Sequence, residues 1–224
     1  MMYQWIFFDA DETLFHFDNF AGLVRMFSKH GIDFKQTDFD AYQAINKPLW
    51  VEYQNGSITA EQLQTRRFRH WSEKLAIDEI TLNKEFLDAM AEICETLVGA
   101  EQLVQSLRAQ GIKLGIITNG FKQLQKVRLE KTGLDKYFDS VITSEEIGVA
   151  KPNPIIFEAA MKSLSVTDKT KVLMVGDTLE SDILGGIKFG IDTCWLNSHD
   201  RTGSEIKPTF EVTSLNELRA CLIK

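Results

Sequence analysis

Two aspartates one residue apart, Asp9 and Asp11, follow directly on the apolar run Trp5-Ile6-Phe7-Phe8. Further on, Thr118 closes Ile116-Ile117-Thr118 ahead of Asn119-Gly120, and Lys151 stands in Gly148-Val149-Ala150-Lys151-Pro152-Asn153. Asp177 closes Val175-Gly176-Asp177, with Asp182 close behind. An acid pair, a hydroxyl, an ammonium and a second acid pair form a set suited to an anionic substrate. Carboxylates can serve as nucleophile and as general acid or base. A hydroxyl and an ammonium can hold and neutralise oxyanions. Each group alone has a plain structural reading: Thr118-Asn119-Gly120 as a turn, Lys151-Pro152 as a surface loop, Asp177 and Asp182 as helix caps. Their order and placement together carry the signal.

These groups need elements that bring them to one place. Trp5 to Phe8 reads as a short strand buried on both faces. After Thr13 the pattern is helical: Phe20 to His30 ending at Gly31, Thr37 to Asn46 ended by Pro48, Thr59 (capped with Gln62) to about Leu75, and Leu82 to Glu95. From Gly99 helices alternate with buried strands. The helices are Glu101–Gln110, Lys122–Thr132, Pro154–Leu164 and Asp182–Phe189, with a last one capped by Ser214 and Glu217. The strands are Lys113–Thr118, Ser140–Thr143, Lys171–Val175 and Thr193–Leu196, with an edge strand at Phe210–Val212. This alternation predicts an α/β fold, a Rossmann-like parallel-sheet core with an inserted all-helical domain. The expected division is residues 1–14 and 97–224 for the core and 15–96 for the insert. In an open parallel sheet ligands sit beyond the carboxyl ends of the strands. All the candidate groups fall at or just past such ends, so they should converge on one rim.

Bulk properties narrow the partners. A net charge of -7 argues against nucleic acid. Cys94, Cys194 and Cys221 lie far apart, which gives neither a disulfide framework nor a zinc site and suits a reducing cytoplasm. Met1 to Phe8 lacks the basic and apolar regions of a signal peptide, and no apolar stretch approaches the roughly 20 residues that span a bilayer. Asp9, Asp11, Asp177 and Asp182 could not stay ionised and close without a cation, and Mg2+ suits all-oxygen ligands.

The four elements, in this order, resemble the four motifs of the haloacid dehalogenase-like hydrolases, and the helical insert resembles the cap of that superfamily's first cap class. Asp9-Ala10-Asp11-Glu12-Thr13, Asn46-Lys47-Pro48-Leu49-Trp50 and Gly148-Val149-Ala150-Lys151-Pro152-Asn153 are similar to the bacterial pyrimidine 5′-nucleotidases. Glu12 departs from the pattern, since most members carry Gly there. The resemblance implies that Asp9 attacks phosphorus and becomes an aspartyl-phosphate, while Asp11 protonates the leaving oxygen and then activates water. It implies Mg2+ held by the Asp9 carboxylate, the Asp11 backbone carbonyl and the Asp177 carboxylate, with Asp182 acting through water or from behind them. Thr118, Asn119 and Gly120 would hold the phosphoryl group, with Lys151 neutralising its remaining charge. The cap would set the substrate: Phe15 and His16, just after the catalytic loop, are expected to face it, and Asn46 and Trp50 to contact a base.

The expected activity is thus hydrolysis of a pyrimidine nucleoside 5′-monophosphate (dUMP, UMP or TMP). The alternative is a phosphatase or mutase for a small sugar phosphate or phosphoglycolate. A haloacid dehalogenase would not need the full acid set. A phospho-receiver domain orders its groups differently and lacks a cap. The expected partner is a small phosphorylated metabolite, with no nucleic acid and no membrane, and the chain a monomer or weak homodimer.

Overall fold

The computed structural model describes residues 2–199, 201–202 and 205–223. It divides into two compact units, one formed by 1–16 with 95–224 and the other by 17–94. Phe15, His16, Glu95 and Thr96 thus belong to the first unit.

The first unit is built on six strands: β1 (Trp5–Phe8), β2 (Lys113–Thr118), β3 (Ser140–Thr143), β4 (Val172–Gly176), β5 (Asp192–Leu196) and β6 (Phe210–Val212). All are parallel, in the order β3-β2-β1-β4-β5-β6. Every residue of β1 is buried, as its run of apolar side chains requires of a central strand. The register sets Phe8 level with Ile116 of β2 and with Val175 of β4. One residue further, Asp9 therefore emerges beside Ile117 and Gly176. The chain passes from β1 to one side of the sheet and returns to the other side at β4, which makes the β1/β4 boundary the switch point where α/β sheets form their crevice. Gly115 in β2 leaves room for the Phe7 ring, whose atoms would lie 2.7 Å from a Cβ there.

The second unit is helical. Asp18 caps α1 (Asn19–Ser28) by accepting from the Ala21 N–H at 2.8 Å. α2 (Gln36–Gln54) runs straight through Pro48, where the sequence predicted an end. Proline removes one intrahelical donor and crowds a carbonyl a turn earlier. Here Tyr42, Asn46, Leu49 and Tyr53 bury one continuous face on both sides of it, and that packing carries the helix across. The single helix expected from Thr59 to Leu75 is two, α3 (Ala60–Arg66) and α4 (Arg69–Leu75). Thr59 and Gln62 make the reciprocal cap, but Arg67 turns inward to Asn83 and the helix breaks at Phe68. α5 (Glu79–Glu92) starts at Asp78, which caps it. Phe27, Phe34 and Trp71 stack together, so Trp71 is core rather than an exposed base platform; Tyr42 and Phe68 are buried likewise.

Back in the first unit, the strands alternate with α6 (Ala100–Ala109), α7 (Lys122–Thr132), α8 (Ser144–Ile147), α9 (Pro154–Ser163), α10 (Leu184–Phe189) and α11 (Leu215–Leu222). A single π turn, Leu179–Ile183, precedes α10 and carries Asp182, where the sequence reading placed regular helix. Among the described residues no helix is long and apolar enough to cross a membrane.

After β1 the chain doubles back: the Leu14 and Phe15 N–H groups donate to the Ala10 carbonyl at 2.9 and 3.0 Å, and the Glu12 N–H to that of Phe15 at 2.7 Å. This turn forces Glu12 to φ 54°, in the left-handed region. A side chain there costs on the order of 1–2 kcal/mol, partly offset in glycine by its larger unfolded-state entropy. Glu12→Gly is therefore expected to stabilise the protein by roughly 0.5–1 kcal/mol, read from denaturant unfolding; a loss of stability would show that the turn is not strained.

Candidate active site

The site grows from one nitrogen. Lys151, fully buried in the loop between α8 and α9, sends its ammonium to the carboxyl end of β1. The Nζ donates to Asp9 Oδ1 at 2.5 Å and to the Ile117 carbonyl at 2.6 Å, and pairs with Asp182 Oδ1 at 2.7 Å. Three partners saturate three N–H donors. The Lys151 backbone is fixed as firmly: its N–H donates to Asn119 Oδ1 at 2.7 Å, and Asn119 Nδ2 donates to its carbonyl at 3.1 Å. Asn119 is held in turn by Ser144, whose hydroxyl donates to the Asn119 carbonyl at 3.1 Å.

Asp9, Asp177 and Asp182 each bring one carboxylate oxygen to within 4.8 Å of the others. The Lys151 ammonium faces two buried acids, while Asp177, half-buried, has the exposed Arg201 at 3.8 Å. Burial, opposed by Lys151 but reinforced by Asp182, Asp11 and Asp177, pushes the Asp9 carboxyl up to about 8. Burial and Asp182 push Asp177 up to about 6, against the Thr178 hydroxyl, Arg201 and Lys151. Burial opposes the charge of Lys151, yet Asp182 and Asp9 together hold its ammonium well above the ordinary lysine range. Surplus buried negative charge on an oxygen-only donor set fits a divalent cation.

The loops frame these acids tightly. Asp182 Oδ2 accepts from the Thr178 N–H at 3.1 Å, and Ser181 donates to its Oδ1 at 3.1 Å. Trp195 Nε1 and Arg201 Nη2 both donate to the Asp177 carbonyl, at 2.9 and 2.7 Å. Thr118 Oγ1, buried, accepts from the Gly120 N–H at 2.9 Å, which leaves its own hydrogen available to a ligand. The Asp11 carboxyl stands outside the acid trio and pairs with Arg128 of α7.

A family model described as haloacid dehalogenase-like hydrolase matches residues 3–190, most of the chain. The chain is a haloacid dehalogenase-like hydrolase. It is 56% identical over the full length of both chains to pyrimidine 5′-nucleotidase YjjG of Escherichia coli K12. It is 33% identical to pyrimidine 5′-nucleotidase PynA of Streptococcus pneumoniae, over all of this chain and 97% of that one. The magnesium-bound structure of HAD-hydrolase YfnB from Bacillus subtilis superposes with a TM-score of 0.84 at 28% identity, covering both chains completely.

In this hydrolase the parallel register brings Asp9, Thr118, Asn119, Gly120 and Asp177 to one rim, and the α8–α9 loop and the π turn add Lys151 and Asp182 to it. The candidates drawn from the insert and its border fare differently. Phe15 does not present a face to a ligand: it is fully buried, with the Arg128 guanidinium 4.4 Å above its ring. His16 is exposed and pairs with Glu12 at 3.1 Å. Within the helical unit Asn46 is 4% exposed; it accepts from the Tyr42 hydroxyl at 3.4 Å and donates to Gln43 at 3.2 Å. Trp50 is half-buried, edge-on to Tyr53. Sequence reasoning missed Arg128, Gln125 and the Asn119 side chain. The signal for the first two was there: they lie three apart on the face of α7 that carries Leu124 and Leu129.

Gly176 closes the frame. A Cβ on it would overlap Asp182 Cβ, Cγ and Oδ2, atoms close to the backbone that cannot swing away. Gly176→Ala is expected to cost about 1–3 kcal/mol of stability, as overpacking does, and to displace Asp182 from Lys151. Chemical denaturation measures the first effect; an unchanged midpoint would mean that the loop relaxes freely.

Proposed function

We propose that this hydrolase cleaves phosphomonoesters with Mg2+, and that its substrates are pyrimidine nucleoside 5′-monophosphates. The observation that carries the chemistry is Asp9: a carboxylate at the end of the central strand, one oxygen fixed by a buried ammonium, within a surplus of acids. The substrate class rests on the full-length relationship to pyrimidine 5′-nucleotidases.

Lys151 grips one oxygen of Asp9, and the other attacks phosphorus. A bond forms from the Asp9 oxygen to phosphorus as the bond from phosphorus to the ester oxygen breaks. The ester oxygen keeps the electron pair and takes a proton from Asp11. Thr118, its oxygen occupied by Gly120, donates its hydrogen to a phosphoryl oxygen, and the Asn119 N–H supports the same group. Water then attacks phosphorus and gives a proton to Asp11, and Asp9 leaves as the free carboxylate with phosphate released. Asp9, Asp177 and the Asp11 carbonyl would hold Mg2+, with Asp182 behind them, and the ion would supply charge neutralisation on the phosphoryl oxygens.

The test is phosphate release at pH 7 from UMP, dUMP, TMP, CMP, AMP, GMP, glucose 6-phosphate and phosphoglycolate. Release favouring uracil and thymine nucleotides, abolished by a chelator and by Asp9→Asn, is the expected result. A preference for sugar phosphates would retain the mechanism and discard the nucleotide; appreciable turnover by Asp9→Asn would discard the nucleophile.

The acid trio also predicts how metal and pH interact. Asp9 at about 8 and Asp177 at about 6 stand above their ordinary value of 3.8, so without metal the folded protein retains protons that the unfolded chain has released. The contribution of these two groups to metal-free stability therefore falls as pH rises from about 4 to 8. Mg2+ binds the ionised form, so the rise in Tm that it produces should grow between pH 5 and pH 8. An increment that is constant, or largest at pH 5, would contradict the trio as its site.

A further inference from the structure

The inward face of α7 carries two polar side chains, Gln125 and Arg128, each 1% exposed. Arg128 is the bulkiest fully buried side chain among the described residues. A buried guanidinium is tolerated only when its donors are satisfied, and here they are satisfied in a directed way. Nη1 pairs with Asp11 Oδ1. Nε and Nη2 both donate to Gln125 Oε1, at 2.9 and 2.5 Å. The guanidinium carbon lies 4.4 Å from the centre of the Phe15 ring, and the Phe15 backbone is itself bonded into the turn that carries Asp11. Arg128 thus touches both ends of the turn that follows β1.

The grip leaves one Asp11 oxygen facing the other way. Oδ2 lies 3.5 Å from where a Cβ on Gly120 would stand, so it points towards the Thr118-Asn119-Gly120 loop. Gln125 has its orientation fixed, because Oε1 must face the guanidinium. Its Nε2 is therefore turned to Gly120, 2.5 Å from that same Cβ position, and is buried with no hydrogen-bond partner. An unsatisfied buried amide destabilises the fold. Apolar side chains of similar volume would fill this face of α7 without that cost, so packing alone does not account for the pair.

We propose that Arg128, braced by Gln125 and Phe15, is a positioning residue for the proton transfers of Asp11. By holding Oδ1 it aims Oδ2 at the phosphoryl-binding loop, where the leaving oxygen takes the proton and the attacking water later gives one back. Arg128 stays charged throughout, so the hold persists through both transfers. This inference rests on the phosphomonoesterase reading above, and Arg128 itself touches no substrate.

The test compares a leaving group that needs a proton with one that does not. Wild type, Arg128→Met, Arg128→Lys and Gln125→Leu are assayed with Mg2+ on UMP and on p-nitrophenyl phosphate, and kcat/KM is taken for both in the same preparation. General acid catalysis contributes roughly 10²- to 10⁴-fold, and p-nitrophenolate departs without it. Arg128→Met should therefore lower kcat/KM for UMP at least about tenfold more than for the aryl ester. It should also show a burst of p-nitrophenol, because water activation then limits turnover. Arg128→Lys should restore part of the discrimination, and Gln125→Leu should shift it in the same direction by less. The ratio does not depend on the fraction of protein folded, and Gln125→Leu carries the comparison if Arg128→Met fails to fold. Equal losses on both esters, or none, would overturn the positioning role and leave a structural one. Wild type inert towards both esters would instead remove the phosphomonoesterase reading itself.

Discussion

Everything at the carboxyl rim of the sheet depends on the Lys151 ammonium. It ties together β1 through Asp9, β2 through the Ile117 carbonyl and the π turn after β4 through Asp182. Those three elements bracket the switch point of the sheet, and one cation lets their acidic ends approach. Lysine suits the place better than arginine would: a compact charge with three donors can face three partners in different directions, whereas a guanidinium fork is planar. The arrangement also sets the limit of what the protein alone can neutralise. Two buried acids share that ammonium and Asp177 stands beside them, and burial together with their mutual repulsion raises the Asp9 and Asp177 carboxyls.

A division of labour follows from where each charge is held. Lys151 and Asn119 fix the Asp9 side, with the Asn119 amide clasping both backbone groups of Lys151. Arg128, Gln125 and Phe15 surround Asp11 on the other side, from a helix rather than a loop. The two carboxylates are only two residues apart in sequence, yet they have separate cationic partners. Separate partners keep the two groups from collapsing into one shared ion pair, as the proposed roles of nucleophile and proton carrier require.

Much of this was legible in the sequence because parallel strands advertise themselves. Each is a short apolar run that stops at a polar residue, and parallel register brings those stops level, so Asp9, Thr118 and Asp177 could be set on one rim from pattern alone. The same pattern set Lys151 and Asp182 near that rim, the family resemblance added what each group would do, and the match over residues 3–190 bears out the family. What could not be read depended on partners distant in the chain. α2 survives Pro48 because of the face it buries, α3 and α4 separate where Arg67 turns to Asn83, and Phe15 is drawn under Arg128 instead of facing a ligand. The left-handed turn at Glu12 was hinted at by its departure from glycine and is there at φ 54°. Gln125 and Arg128 were overlooked because a polar pair on a helix is ordinarily read as solvated surface.

The central position of β1 has a consequence for synthesis. Trp5-Ile6-Phe7-Phe8 leaves the ribosome well before its two neighbours, which begin only at Lys113 and Val172. At about 5–20 residues per second, this sticky segment waits for several seconds with both edges bare, the state in which apolar strands find unintended partners. The residues made during that wait are those of the helical unit, which has its own core around Phe27, Trp71 and Phe86. The nascent chain therefore carries an early folding module just behind this apolar tetrapeptide.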